Sequence, residues 1–240
     1  MEREVTSMRG VIIGTKHSFN DWGLYLGKET SISFPEIKEN IVDVPGADNE
    51  IDLTEVLTGD VKYKPRKIKI VLWEKGKTSR DLKLFLTEIA NYLHGQKLKI
   101  TFDTDPGYYY IGRCTLNPIE TDRKVGKIVI DVKAEAYKYY QTSTIEDWIW
   151  DSFNFEEGII QEYVDLEVDE TLELNLYNSR MKVIPIFTVS DDMEIEFKNK
   201  TYELSEGINE ISDIELEEGE NEVTIIGNGT VSIEYRRGCL

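Results

Sequence analysis

Two carboxylates, Asp103 and Asp105, stand beside a turn sequence that continues with Pro106 and Gly107. Paired carboxylates can bind calcium, or hydrolyse a glycosidic bond when both face one cleft. An aspartate ahead of proline and glycine also stabilises a turn, because its side chain accepts hydrogen bonds from nearby backbone amides. The turn is the favoured interpretation, and a glycosidase that uses both aspartates is the remoter alternative.

The two histidines, His17 and His94, do not indicate a catalytic group. His94 follows a predicted helix, where its ring suits the negative end of the helix dipole, so a capping or packing role is expected. His17 lies in an early loop without an evident partner, whereas a catalytic triad needs three groups within mutual reach. The chain also lacks P-loop, HExxH, GxSxG and EF-hand sequences. We therefore expect no enzyme activity, no cofactor and no bound metal.

The two cysteines, Cys114 and Cys239, are too few and too far apart for a disulfide framework or a zinc site. Cys114 has apolar neighbours and is expected to be buried, while Cys239 is expected to be an exposed thiol. No apolar run reaches the ~20 residues that cross a bilayer. The first residues also lack a signal-peptide pattern. These features predict a chain made and folded in a cytoplasm.

Charge is distributed unevenly along the 240 residues, whose net charge is −18. Residues 1–138 hold 22 Lys+Arg against 21 Asp+Glu, whereas residues 139–240 hold 6 against 25. This asymmetry predicts two domains, 1–138 and 139–240. A surface this acidic disfavours nucleic acid and anionic membranes as partners. The basic segment 62–69 is interpreted as the solvated outer face of a strand rather than a nucleic-acid patch.

The first predicted domain is a mostly antiparallel sheet or a barrel-like form of one, with one helix packed on it. Apolar and polar residues alternate at 67–73 and 128–136, as in half-buried strands, and further strands are expected at 9–14, 37–44, 97–102 and 108–116. Leu82, Phe85, Leu86, Ile89 and Leu93 have helical spacing, and Gly95 suits the end of that helix. The fold class is therefore mainly β, of the α+β type.

The second predicted domain is an acidic β-sandwich. Short strands recur at 171–177, 182–189, 193–198, 201–204, 207–211, 222–226 and 230–235, with a turn expected at 227–229. Ahead of them stand the aromatic residues Trp148, Trp150, Phe153 and Tyr163, together with Phe155. Such a cluster forms either a sugar-stacking or partner-binding platform or the beginning of the core. Both alternatives stay open, and the first corresponds to a carbohydrate-binding module for the host cell wall.

An ordered set of segments resembles the distal tail protein family of long-tailed, non-contractile bacteriophages. The segments are 18–24 (SFNDWGL), 44–46 (VPG), 51–54 (IDLT), 67–73, 93–95 (LHG), 105–112, 218–225 (EGENEVTI) and 231–236 (VSIEYR). No segment is specific alone, and the resemblance depends on their shared order across nearly the whole chain.

The resemblance implies a structural adaptor of a phage or prophage, located at the tip of the virion tail. Its N-terminal domain would form a ring, a hexamer in this family, that links the tail tube protein to the tail-associated hub or fibre protein. Its C-terminal domain would be a galectin-like sandwich on the outside of the ring.

The long connection at residues 44–60 is the predicted site of ring contact. Pro45 and Gly46 set a turn, and the apolar residues Ile51, Leu53, Val56 and Leu57 follow on a segment expected to project. In a ring these side chains would be buried against a neighbouring subunit. Trp22 and Leu24 are expected to lie nearby and share this contact.

Overall fold

The structure, a computed structural model, describes residues 10–46, 48–56, 58–75, 79–117, 120–122, 125–145 and 163–240. The chain divides into two compact units, Met1–Lys138 with Leu240, and Tyr139–Cys239. Each unit has its own hydrophobic core. Within the described ranges, no helix combines the length and the apolarity that a membrane crossing requires.

The first unit is an antiparallel sheet with one described helix. Its elements are β1 (Val11–Ile13), β2 (Lys16–His17), β3 (Tyr25–Leu26), β4 (Ser31–Ile32), β5 (Ile41–Val42), β6 (Ile51–Asp52), β7 (Arg66–Lys75), α1 (Ser79–Leu93), β8 (Lys97–Phe102), β9 (Tyr108–Leu116), β10 (Glu120–Asp122) and β11 (Val125–Ala134). The main strand order is β2-β1-β8-β9-β11-β7-β3, with β4 also paired to β7 and β10 to β11. The strands β5 and β6 form a separate hairpin.

The ladder between β7 and β11 organises the core of this unit. It runs through ten residue pairs, from Val125 opposite Lys75 to Ala134 opposite Arg66. Even-numbered side chains on both strands face the core, which is why Ile68, Ile70, Ile128 and Ile130 are almost completely buried. The alternation in the sequence therefore predicts the correct face for both strands.

The helix α1 covers the even-numbered face of the sheet, as its apolar stripe predicts. Leu82, Leu86, Ile89 and Leu93 are buried in the same core as the sheet residues. The helix ends before Gly95, whose φ of 79° carries the chain into β8 and whose amide donates to the Cys114 carbonyl at 2.8 Å. Cys114 is fully buried, as predicted, and burial raises the pKa of its thiol to about 11.

His17 and Asp103 form a structural contact that closes the end of the sheet. The His17 Nδ1 accepts the amides of Phe19 and Asn20 at 3.1 and 3.0 Å, so Nε2 carries the proton and lies 3.1 Å from Asp103 Oδ2. The same Oδ2 accepts the Gly10 amide at 2.6 Å. His17 therefore has a partner that the sequence did not reveal, and the ring and carboxylate fasten β1 and its loop to the end of β8.

Asp105 and His94 also have structural partners. The Asp105 amide donates to the Phe102 carbonyl at 2.9 Å, as in the predicted turn, and its carboxylate lies 3.0 Å from Lys138 Nζ. His94 Nδ1 accepts the Leu116 amide at 3.1 Å, which ties the end of α1 to β9. In the described parts of the chain, no group of three or more His, Cys, Asp or Glu is arranged to hold a metal ion.

Most of the second unit is one six-stranded antiparallel sheet with an apolar face. Its elements are β12 (Lys138–Tyr140), which begins at the last residue of the first unit, β13 (Leu166–Asn178), β14 (Ile186–Val189), β15 (Met193–Phe197), β16 (Lys200–Leu204), β17 (Gly207–Glu210), β18 (Gly219–Glu234) and β19 (Gly238–Cys239). The sheet order is β16-β15-β18-β14-β17, with β13 on the other side of β18. Alternate residues from the longer strands of this sheet meet in one core.

The strand β18 is continuous, whereas the sequence predicts two strands separated by a turn at 227–229. It pairs with β13 in one unbroken register from Gly219 to Val231. On its other edge it pairs first with β15 and then with β14, and the two glycines lie opposite the link between them. Gly227 and Gly229 therefore allow the chain between β14 and β15 to lie close to the backbone of β18. A Cβ on Gly229 would lie 2.3 Å from Ser190 Oγ.

Substitution of Gly229 tests this close approach, with Gly207 as the matched control. Both glycines have positive φ, 131° and 101°, but nothing lies within 4 Å of a Cβ on Gly207. Gly229→Ala should lower the free energy of unfolding by about 1–3 kcal/mol more than Gly207→Ala, because it adds overpacking to backbone strain. Urea unfolding followed by circular dichroism measures the difference, and equal losses would contradict the close approach.

Substitution of Asp103 tests the His17 contact, with Asp105 as the control on the same turn. Asp103→Ala leaves the Gly10 amide and the His17 Nε2–H without their acceptor and should cost about 1–3 kcal/mol of stability. Asp105→Ala removes a half-exposed ion pair with Lys138, which is worth about 0–1 kcal/mol. Thermal unfolding ranks the two variants, and the reverse order would argue against a structural role for Asp103.

Candidate functional site

Exposed apolar side chains concentrate in one segment of the first unit, residues 32–63, which we call the arm. Of the thirteen large hydrophobic residues exposed among the described residues, seven lie in the arm. They are Ile32, Phe34, Ile37, Ile41, Val42, Ile51 and Val56, with Phe34 81% and Val56 68% exposed. Clustered apolar exposure of this kind marks an interaction surface, whereas single exposed residues do not.

The described residues of the arm form backbone hydrogen bonds in spite of their exposure. Its base is a bridge between Ile37 and Tyr63, where the Lys38 amide donates to the Lys62 carbonyl at 2.8 Å. Further out, β5 and β6 pair with Val42 directly opposite Ile51. These two residues lie on one face of the hairpin, with 42% and 50% of their surfaces exposed. The hairpin therefore presents an apolar cross-strand pair to its surroundings.

A second set of hydrogen bonds fixes the outgoing strand of the arm. Asp52 Oδ1 accepts the Thr54 amide at 2.9 Å, and the Thr54 hydroxyl accepts the Asn40 amide at 3.1 Å. Hydrogen bonds from the hydroxyl and the amide of Thr54 lower the pKa of Asp52. The carboxylate thus replaces a backbone acceptor where the ladder ends, and it holds the β6 side of the hairpin in place.

The arm is acidic as well as apolar. Between residues 32 and 63 the sequence has eight carboxylates, at Glu36, Glu39, Asp43, Asp48, Glu50, Asp52, Glu55 and Asp60, against Lys38 and Lys62. Carboxylates alternate with apolar residues along 50–52 and 55–56. The arm therefore offers apolar contact area framed by negative charge.

The structure separates the residues predicted for ring contact into two groups. Ile51 and Val56 are exposed, Pro45 is exposed at the hairpin turn, and Leu53 is half-buried; Leu57 lies outside the described residues. Trp22 and Leu24 are different: they are 7% and 0% exposed and belong to the core.

The prediction that Trp22 and Leu24 lie on the contact surface is therefore wrong. The Trp22 ring packs edge-on against Tyr92 of α1 at a centroid distance of 5.8 Å. Residues 18–23 form a loop, and the Leu24 amide donates to the Ser18 carbonyl at 2.8 Å, which closes this loop over the core. Phe34, Ile41 and Val42 are exposed apolar residues of the arm that were not predicted from the sequence.

Of the aromatic residues predicted to contact a glycan or a partner, only Tyr163 can be located. Trp148, Trp150 and Phe153 lie outside the described residues. The Tyr163 ring stacks on Tyr235 at a centroid distance of 6.3 Å, and its hydroxyl donates to the Asn175 carbonyl at 3.1 Å. Burial raises the pKa of Tyr163. Its ring packs against the core of the second unit, and its hydroxyl is hydrogen-bonded within the same unit.

Sequence comparison places the arm inside a known domain. Residues 19–146 match the phage tail protein RIFT-related domain, and this match spans more than half of the chain. It contains the whole arm and most of the sheet. No curated protein matches the chain by sequence.

Comparison with solved structures extends the likeness to both units. The crystal structure of SPP1 Dit (gp 19.1), described as a paradigm of the hub adsorption apparatus in phages that infect Gram-positive bacteria, matches with a TM-score of 0.67. The match covers 97% of this chain and 99% of that chain at 14% sequence identity. The predicted mainly β fold class is confirmed. The chain belongs to the phage tail protein RIFT-related domain family, and it is a structural tail protein with a Dit-like fold rather than an enzyme.

Proposed function

We propose that this chain is the distal tail hub of a siphophage or prophage, a ring-forming adaptor at the tail tip. The ring, a hexamer by the resemblance to distal tail proteins, joins the tail tube protein to the tail-associated hub or fibre protein. The first unit forms the ring, and the acidic second unit lies at its outside. Family membership and the likeness to SPP1 Dit support the place in the tail.

One observation carries the ring proposal, namely the exposure of an ordered apolar arm. Full burial of one exposed isoleucine or valine side chain is worth about 1.5–3 kcal/mol. Ile51, Val42 and Val56 are 42–68% exposed in the isolated chain, so roughly half of that contribution is unused. Contact with a second copy uses it. In the proposed ring the arm contacts an unlike surface of the next copy, because a contact between unlike surfaces that is repeated by rotation can close into a ring.

The position of the acidic unit follows from charge. Residues 139–240 carry 25 Asp+Glu against 6 Lys+Arg, and several copies in one ring repel each other. The repulsion between exposed charges falls steeply beyond the ~8–10 Å screening length at ordinary salt concentrations. Placing these units at the largest radius of the ring therefore costs the least. Of the aromatic residues considered for sugar binding, Trp148, Trp150 and Phe153 lie outside the described residues, and Tyr163 stacks on Tyr235.

Substitutions in the arm test this function. The double substitution Ile51→Asp and Val56→Asp places charge in the contact and should abolish rings, while the fold is kept because both side chains are exposed. Light scattering across a concentration series, with negative-stain imaging, measures assembly, and circular dichroism checks the fold. Leu84→Asp is the matched control, since Leu84 is 68% exposed on α1, away from the arm.

Three results are informative. Rings of the native chain and of Leu84→Asp, with monomers of the arm variant, are expected. Rings of the arm variant would exclude the arm as the contact. A native chain that remains monomeric at every concentration would overturn self-assembly and leave the family assignment unchanged.

A further inference from the structure

The helix-free side of the first sheet carries a concentration of positive charge. On β7, β8, β9 and β11 the odd-numbered side chains point away from the core that α1 covers. Seven of them are cations, and we call this surface the basic face: Lys67, Lys69, Lys97, Lys99, Arg113, Lys127 and Lys133. The same surface has carboxylates at Asp131 and Glu135. All the cations except the half-buried Lys127 are exposed.

Four of these cations form a row across four adjacent strands. Lys97 lies opposite Arg113, Arg113 opposite Lys133, and Lys133 opposite Lys67. Neighbouring strands are about 4.8 Å apart, and like charges directly opposite each other destabilise a sheet. In the row, Lys97 is paired with Glu135 at 2.5 Å. No carboxylate of the described residues forms an ion pair with Lys67, Lys133 or Arg113.

The basic face also has an apolar floor. Ile111 and Val129 are half-buried and supply its accessible apolar area, whereas Tyr109 and Val71 lie on the same side of the sheet but are buried. Lys99 Nζ lies 4.0 Å from the centre of the Tyr109 ring, with its stem across the surface. A surface of this composition accepts a segment that combines apolar side chains with carboxylates.

We propose that the basic face of one copy is the docking surface for the arm of the next copy. The arm is the segment of the described chain with the complementary composition, eight carboxylates interleaved with exposed apolar residues. Glu50 and Glu55 flank Ile51 and Val56 and face the cation row, while the apolar residues contact the floor between the lysine stems. This docking depends on the ring function proposed above and specifies the surface that receives the arm.

Nucleic acid is the less favoured occupant of the basic face. The whole chain has a net charge of −18, which repels a polyanion at long range before any local contact forms. Two copies of the chain repel each other at long range as well, but the arm adds the burial of its exposed apolar side chains to the attraction between its carboxylates and the cations, and a polyanion lacks such side chains. Charge complementarity at an interface mainly sets register and association rate, so the row defines where the arm lies.

Complementary charge reversal tests the docking. One variant reverses the face, Lys67→Glu with Lys133→Glu, and a second reverses the arm, Glu50→Lys with Glu55→Lys. Each alone brings like charges together and should raise the midpoint concentration of ring assembly at least about tenfold. An equimolar mixture of the two variants should form rings again when the variants alternate around the ring. The native arm of each face variant then meets the native face of an arm variant, and the reversed arm of each arm variant meets the reversed face of a face variant. Lys28→Glu with Lys83→Glu, which reverses two exposed lysines off the face, is the control.

The outcomes separate this docking from ring formation itself. Rescue in the mixture, without rings of either variant alone, is the expected result. Rings of the face variant at the native concentration would overturn the docking and leave the ring proposal standing. No rings of the native chain would overturn both. If the face variant keeps its rings and loses affinity for a fluorescent DNA duplex that the native chain binds, the occupant is nucleic acid instead.

Discussion

The ladder between β7 and β11 fixes two properties of the first unit at the same time. Side chains on a strand alternate between faces, so one register places Ile68 opposite Val132 in the core and Lys67 opposite Lys133 on the outer face. A slip by one residue would expose the isoleucines and bury the lysines. Because burial of the isoleucines decides the register, the opposed lysines are a consequence that the sheet must tolerate. The repulsion between the lysines costs less free energy than burial of the isoleucines provides, and an anionic partner would relieve it.

The arm is subject to the opposite constraint, because no core determines its shape. Its order comes from backbone ladders and from the Asp52–Thr54–Asn40 hydrogen bonds, which do not require buried apolar surface. Such a segment keeps its conformation while its apolar residues stay in water. An ordered segment loses less conformational entropy on docking than a disordered one would. The arm is therefore prepared for association in a way that a mobile loop is not.

Sequence patterns predicted the elements whose residues obey one period over their whole length. The strands β8 and β9 and the helix α1 have the predicted positions, because alternation over part of each strand and helical spacing along α1 are visible in the sequence. Contacts between distant residues were not predictable: His17 meets Asp103 across 86 positions. The prediction that Trp22 and Leu24 are exposed failed for the same reason. A loop that folds back over a core cannot be told from an exposed loop by its sequence. In β18, Gly227 and Gly229 were read as a turn because glycine permits both a turn and a close approach.

For the contact surface, sequence located the segment but not all of its exposed side chains. Ile51 and Val56 stand between carboxylates, which is a pattern of exposure, whereas Ile41 and Val42 look like an ordinary strand. What distinguishes them is that, among the described residues, none covers these two side chains on the β5–β6 hairpin, and this depends on tertiary structure. The acidic and the apolar residues of the arm contribute different properties to one contact. Apolar burial contributes affinity without direction, whereas opposite charge on unlike surfaces gives the contact a polarity, and polarity is what a closed ring of identical subunits requires.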